Sequence, residues 1–110
     1  MDSIHDLDHL NQEISSQKGL LVYFSNEACS VCKVLKPRVN QVIGEAYPLM
    51  KRYYVDIEKS PLIAGQYRVF TIPTILIFFE GREYARLSRN IGMHQVEEAI
   101  HRPYGLVFEV

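Results

Sequence analysis

Cys29 and Cys32 are the two cysteines of a 110-residue chain, separated by Ser30 and Val31 and followed by Lys33. Two thiols three positions apart at the start of a helix lie on adjacent turns, near enough to close a small disulfide ring without moving the rest of the chain. Such a pair is a reversible two-electron switch. Disulfide exchange needs a thiolate, and the unpaired N–H groups and dipole at a helix N-terminus favour negative charge, which makes Cys29 the candidate nucleophile. Acidity alone gains little. Lowering a thiol pKa from about 8.5 to about 7 raises the thiolate fraction at pH 7 roughly 15-fold, but the accompanying loss of nucleophilicity leaves a net gain of about 3-fold. Holding Cys32 where it can attack a mixed disulfide on Cys29 contributes more, because a bimolecular step becomes intramolecular.

Zinc is the competing chemistry for a C-x-x-C pair, and a structural zinc site needs four ligands. No second C-x-x-C and no H-x-x-x-H supplies the other two; His5 and His9 have a metal-compatible i, i+4 spacing but lack a third ligand and read as solvated surface. No metal is expected. Two buried, inert apolar cysteines remain the other alternative.

The composition bounds the partners. With 47% hydrophobic residues and a formal net charge of −1, residues 1–110 read as a single domain with its own core. The absence of a basic run gives no reason to expect nucleic acid or an anionic membrane. Met1 to His9 carries three aspartates and no apolar signal region, and no apolar run reaches the length of a membrane span. The expected location is the cytoplasm, where thiols are kept reduced and such a pair is catalytic or regulatory more often than structural.

The elements that must position the cysteines follow from periodicity. Ser3 to Gln17 carries Ile4, Leu7, Leu10 and Ile14 at helical spacing with Lys18-Gly19 behind it. Leu20 to Ser25 is short and uninterrupted, a strand buried on both faces that delivers the chain to the cysteines. Ser30 to Tyr47 is helical, with Pro37 expected to bend it. Lys51 to Ile57 is a second strand, Ser60-Pro61 opens a short helix to Tyr67, and Thr74 to Phe79 is a third strand. Glu80-Gly81 turns directly into Arg82 to Ser88, an antiparallel hairpin. Met93 to Arg102 is a closing helix that Pro103 should end. The apolar tail Gly105 to Val110 either packs back or adds an edge strand. The predicted order is αβαβαββα, an α/β fold with a four-stranded mixed sheet and helices on both faces.

Cys29-Ser30-Val31-Cys32 after a buried strand, Lys33, Pro37 in the same helix, Phe70-Thr71-Ile72-Pro73-Thr74 before the hairpin, Gly81 in its turn and Gly92 beyond it resemble the thioredoxin family from about Leu20 to Ile100. The extra N-terminal strand of typical thioredoxins has no counterpart in this reading. The resemblance implies a thioredoxin-like fold in which Cys29 attacks a substrate disulfide and Cys32 resolves the intermediate. It also implies a cis Ile72–Pro73 peptide opposite the cysteines, where the residues alone suggest a trans bend. Ile72 would pair with the substrate backbone, and Gly92 would leave room for it in the same groove, although a turn glycine explains Gly92 equally well. Ala28, Ser30 and Val31 would border the substrate.

The departures bear on mechanism. Familiar thioredoxins carry Trp-Cys-Gly-Pro-Cys, whereas this chain has Ala28 before Cys29 and no tryptophan. The buried aspartate and lysine of typical thioredoxins align with Tyr23 and Tyr54. A tyrosine hydroxyl can donate to a thiolate but is a poor base at pH 7. The expectation is that Cys32 loses its proton to water or Glu27, slowing release; alternatively the two tyrosines only fill core volume. Two functions follow: a thiol–disulfide oxidoreductase reducing protein disulfides, or a binding or redox-sensing module whose cysteines do not turn over. The first implies disulfide-containing proteins and a thioredoxin-reductase-like flavoprotein donor as partners, a monomer, and no cofactor beyond the redox-active Cys29–Cys32 disulfide.

Overall fold

The centre of the fold is a strand whose seven residues are all buried, Gly19–Ser25. In the computed structural model, which describes residues 1–110, the elements run β1 (Asp2–Ser3), α1 (Leu7–Ser16), β2 (Gly19–Ser25), α2 (Ser30–Ala46), β3 (Lys51–Asp56), α3 (Pro61–Gln66), β4 (Thr74–Phe79), β5 (Arg82–Ser88) and α4 (Met93–Phe108). The sheet order is β1-β3-β2-β4-β5. β3 lies parallel to both β1 and β2, and β4 lies antiparallel to β2 and β5.

The uninterrupted apolar run of β2 is explained by a core on each face. Leu21 and Tyr23, with Ile75 and Ile77 of β4, pack against Cys32, Val39 and Ile43 of α2 and Val96 and Ile100 of α4. The alternate residues Leu20, Val22 and Phe24, with Leu76 and Phe78, pack against Leu10 and Ile14 of α1 and Ile63 and Ala64 of α3. A strand flanked by helices on both sides has no solvent face, so it has no polar alternation.

Three expectations need correction. The sheet has five strands, not four: Asp2 and Ser3 pair in parallel with Tyr53 and Tyr54, and the Ile4 amide donates to the Tyr54 carbonyl at 2.9 Å. The N-terminal strand therefore does have a counterpart, and α1 starts at Leu7 rather than Ser3. Ile4 fits a helical stripe by spacing, but it is buried as an extended residue. Third, Pro103 does not end α4, which runs to Phe108 and takes up most of the undecided tail. The proline removes one backbone donor, but packing holds the next turn. Tyr104 meets Tyr47 edge-on with ring centroids 5.0 Å apart, Phe108 lies 4.8 Å from Tyr104, and the Tyr104 hydroxyl receives the Leu49 amide at 3.1 Å. Gly19 permits this close approach, since a Cβ there would sit 2.9 Å from the Phe108 ring.

The β4–β5 turn is as expected. Glu80 and Gly81 both have positive φ, 51° and 83°, the conformation that matches strand twist in a two-residue hairpin. No helix is long and apolar enough to cross a membrane.

Candidate active site

Three chain segments meet at the end of the sheet where β2 finishes. The first is the loop from Ser25 to Cys29. Asn26 shapes it, its side-chain oxygen accepting the Ala28 amide at 3.1 Å while its side-chain nitrogen donates to Glu58 at 3.1 Å. Cys29 is then the N-cap of α2, and its Sγ accepts the Cys32 amide at 3.2 Å. The sulfur thus fills the place that a serine or aspartate oxygen takes at other helix starts. Cys29 and Cys32 are joined as a disulfide, with Cα atoms 5.2 Å apart. Their exposure differs: Cys32 is 1% exposed, whereas Cys29 is only partly buried. Ala28, Ser30 and Val31 surround Cys29 on the exposed side.

Beneath the pair lie the aligned tyrosines. Tyr23 and Tyr54 are register partners on β2 and β3, with rings stacked at 6.3 Å. The Tyr23 hydroxyl donates to the Cys32 carbonyl at 3.0 Å, so it ties the first turn of α2 to the sheet. Tyr23 also fills core volume, as one of the two readings expected, and the hydrogen bond adds an anchor to that packing. Burial, reinforced by Tyr54, pushes the Tyr23 phenol up to about 12, so it keeps its proton throughout the neutral range and cannot act as a base. Tyr54 accepts a hydrogen bond from Ser25 at 3.1 Å, and the Lys36 ammonium lies 3.7 Å from its ring centroid. The exposed Glu27 carboxylate pairs with Lys59 at 3.0 Å, and that contact pushes the Lys59 pKa up.

The second segment precedes β4. The Ile72–Pro73 peptide is cis, and the register Phe24↔Thr74 sets Pro73 at the same sheet end as Ser25. Thr74 Oγ1 donates to the Thr71 carbonyl at 2.7 Å, and the Arg89 amide donates to the Pro73 carbonyl at 2.9 Å. Ile72, a half-buried residue, has no backbone partner within the chain for either its amide or its carbonyl, so both groups are open to water or to an outside partner.

The third segment follows β5. Gly92 caps α4, its amide donating to the Gln95 side chain at 3.0 Å. Its φ is −92°, and an added Cβ would meet only the Gln95 oxygen at 3.8 Å. Neither backbone geometry nor internal packing demands a glycine there, which removes the turn explanation. Gly92 instead lines a groove of about 730 Å³ that runs from Val31 of α2 to Met93 of α4.

The structure therefore assembles Cys29, Cys32, Ile72, Pro73 and Gly92 at one sheet end, with Tyr23 and Tyr54 below, and leaves Glu27 turned toward Lys59. Sequence reasoning missed Asn26, Ser25 and Lys36. An asparagine two residues before an amide, at a strand exit, is a recognisable local acceptor, and Lys36 lies one helical turn beyond Cys32. The link to Tyr54 depends on strand register and carries no local signal.

A model of the thioredoxin family matches residues 3–102. The chain is 29% identical to thioredoxin-like protein YdfQ of Bacillus subtilis over 106 residues, covering 96% of this chain and 94% of that one. It is 35% identical over 81 residues to the thioredoxin of Chlamydia trachomatis, covering 74% of this chain and 76% of the other. Mitochondrial thioredoxin 3 from Saccharomyces cerevisiae, in its oxidized form, has the same fold, with a TM-score of 0.82 at 24% identity over 91% of this chain and 92% of its own. Because the family model covers residues 3–102, with the Cys29–Cys32 pair at the head of α2 inside that span, the chain belongs to the thioredoxin family and is a thiol–disulfide oxidoreductase.

Proposed function

We propose that the protein reduces disulfides in other proteins, with Cys29 as the attacking thiol and Cys32 as the resolving one. The observation that carries this assignment is the unequal exposure of the two sulfurs. A substrate sulfur can approach Cys29, whereas Cys32 is enclosed. In the proposed cycle the Cys29 thiolate attacks one substrate sulfur, the substrate S–S bond breaks, and the first substrate thiolate leaves and takes a proton. The Cys32 thiolate then attacks Cys29 Sγ, expels the second substrate thiolate, and leaves the Cys29–Cys32 disulfide. Two electrons pass to the substrate. A donor of the thioredoxin-reductase type restores the dithiol, and because the electrons remain on sulfur the cycle calls for no bound cofactor.

The helix start supports the first step. The Cys32 amide already points at Cys29 Sγ, so charge forming there on reduction gains a donor and a favourable helix dipole. Ile72 supports substrate pairing, since its free amide and carbonyl can add the substrate chain as a short strand. Ala28, Ser30 and Val31 border that chain, and Gly92 leaves room for it. The second step is the slower one in this reading. Cys32 is buried among apolar groups, which disfavours its thiolate, and neither Tyr23 nor Glu27 is set to take its proton. The proposed setting is a monomer in the cytoplasm, consistent with a site built wholly within one chain.

A coupled assay tests the function. With NADPH and a thioredoxin reductase, the protein should reduce insulin well above background, and Cys29→Ser should abolish it. Background rates with a reductase that does recycle the Cys29–Cys32 disulfide would instead favour the binding or sensing module. For the slow step, Tyr23→Asp places a base beside Cys32 and should speed single-turnover release of reduced insulin. An unchanged release rate would remove proton transfer as the limit.

A further inference from the structure

The groove beside Cys29 has an apolar floor and a cationic rim. Val31 and Val34 of α2, 65% and 74% exposed, border it on one side, and Ile91 and Met93 on the other. Arg38 and Arg89 line it as well, and no carboxylate does. Neither arginine takes part in the ion pairs of the molecule, which join Lys59 to Glu27, Arg86 to Glu83 and His94 to Glu98. The positive charge is local, because the whole chain carries −1.

Arg89 also sits at φ 66°, a left-handed conformation that glycine or asparagine adopts at lower cost. Its amide bonds the Pro73 carbonyl at 2.9 Å, so the backbone there is fixed by the loop that carries the cis proline. Any residue with an N–H could make that bond. What arginine adds is a guanidinium at the groove, anchored to the substrate-pairing loop.

We infer that this groove selects substrate segments in which an apolar residue near the reactive cysteine is flanked by aspartate or glutamate. The apolar side chain lies between Val31, Val34, Ile91 and Met93, and the carboxylates pair with Arg38 and Arg89. The inference rests on the reductase reading above and names the class of protein segment that reading leaves open. The recognition is electrostatic and solvent-exposed, so it acts mainly on encounter and is screened by salt, whose Debye length falls from about 10 Å at 0.1 M to about 3 Å at 1 M. Each exposed ion pair changes affinity by a factor of about 1.5 to 5.

The test uses three disulfide-bonded peptides that differ only in the residues flanking a Leu-Cys pair: glutamates, glutamines or lysines. At low salt the wild-type protein should show a kcat/KM about tenfold higher for the glutamate peptide than for the lysine peptide, with the glutamine peptide between. That ratio should fall to within about twofold at 1 M NaCl, and likewise in the Arg38→Gln/Arg89→Gln variant at low salt. The salt series needs no variant, so the result stands even if the substitutions perturb folding. A wild-type ratio near one, or a ratio that survives 1 M salt, would overturn the charge selection while leaving the reductase reading intact. Failure to reduce any of the three peptides or insulin would overturn both.

Discussion

The sulfur of Cys29 acts as helix cap and reactive atom at once: the acceptor that orders the first turn of α2 is the atom on which negative charge forms after reduction. Tyr23 secures the same turn from below through the Cys32 carbonyl. Tyr23→Phe should therefore destabilise the oxidised protein by about 1 kcal/mol at pH 7, as measured by urea unfolding. The pH dependence has a definite sign. The folded Tyr23 pKa is raised from the ordinary 10 to about 12, so its contribution is fully present below pH 10 and is lost as the pH rises through 12. The gap between wild type and Tyr23→Phe should narrow over that window, and a gap that widens would contradict the assignment. Gly92 gives a second test. Serine caps helices better than glycine, so Gly92→Ser should hold stability within about 0.5 kcal/mol of wild type or raise it, while the added side chain raises KM for insulin several-fold. Unaltered KM would mean that substrate does not pass over Gly92.

Among the elements, α4 departs furthest from its sequence pattern. A proline ten residues into a helix is an ordinary stop signal, yet Tyr104 and Phe108 beyond it cover the start of β2 and the Tyr47 ring. Deleting residues 104–110 should cost at least about 3 kcal/mol, the usual scale for losing a buried aromatic. A deletion mutant with wild-type thermal stability would show the last turns to be an appendage. Gly19→Ala should cost about 1 to 3 kcal/mol by forcing Phe108 and Met50 aside. β1 is the other late surprise: two residues carry no periodicity, and their pairing with Tyr53 and Tyr54 depends on where β3 lies.

For the whole molecule, the legible parts were those whose signal is local. The seven-residue run of β2, the Glu80-Gly81 turn and the cysteine pair before a helical stripe each announce themselves within a few residues. Tyr23 and Tyr54 are register partners in the sheet, but the hydrogen bond from the Tyr23 hydroxyl has no local signal, because it reaches a carbonyl nine positions away across the sheet–helix interface. The cationic rim was not visible either, since Arg38 and Arg89 come together only when α2 and the β5–α4 connection pack side by side. The account depends most on the division of labour between two sulfurs of unequal exposure, and trapping reads that division directly. Reduced Cys32→Ser and Cys29→Ser proteins are mixed with insulin, quenched with acid and analysed by intact-mass spectrometry without reductant. Cys32→Ser should accumulate a covalent adduct through Cys29 and Cys29→Ser should form little or none, whereas an adduct forming through Cys32 at a comparable rate would contradict the account.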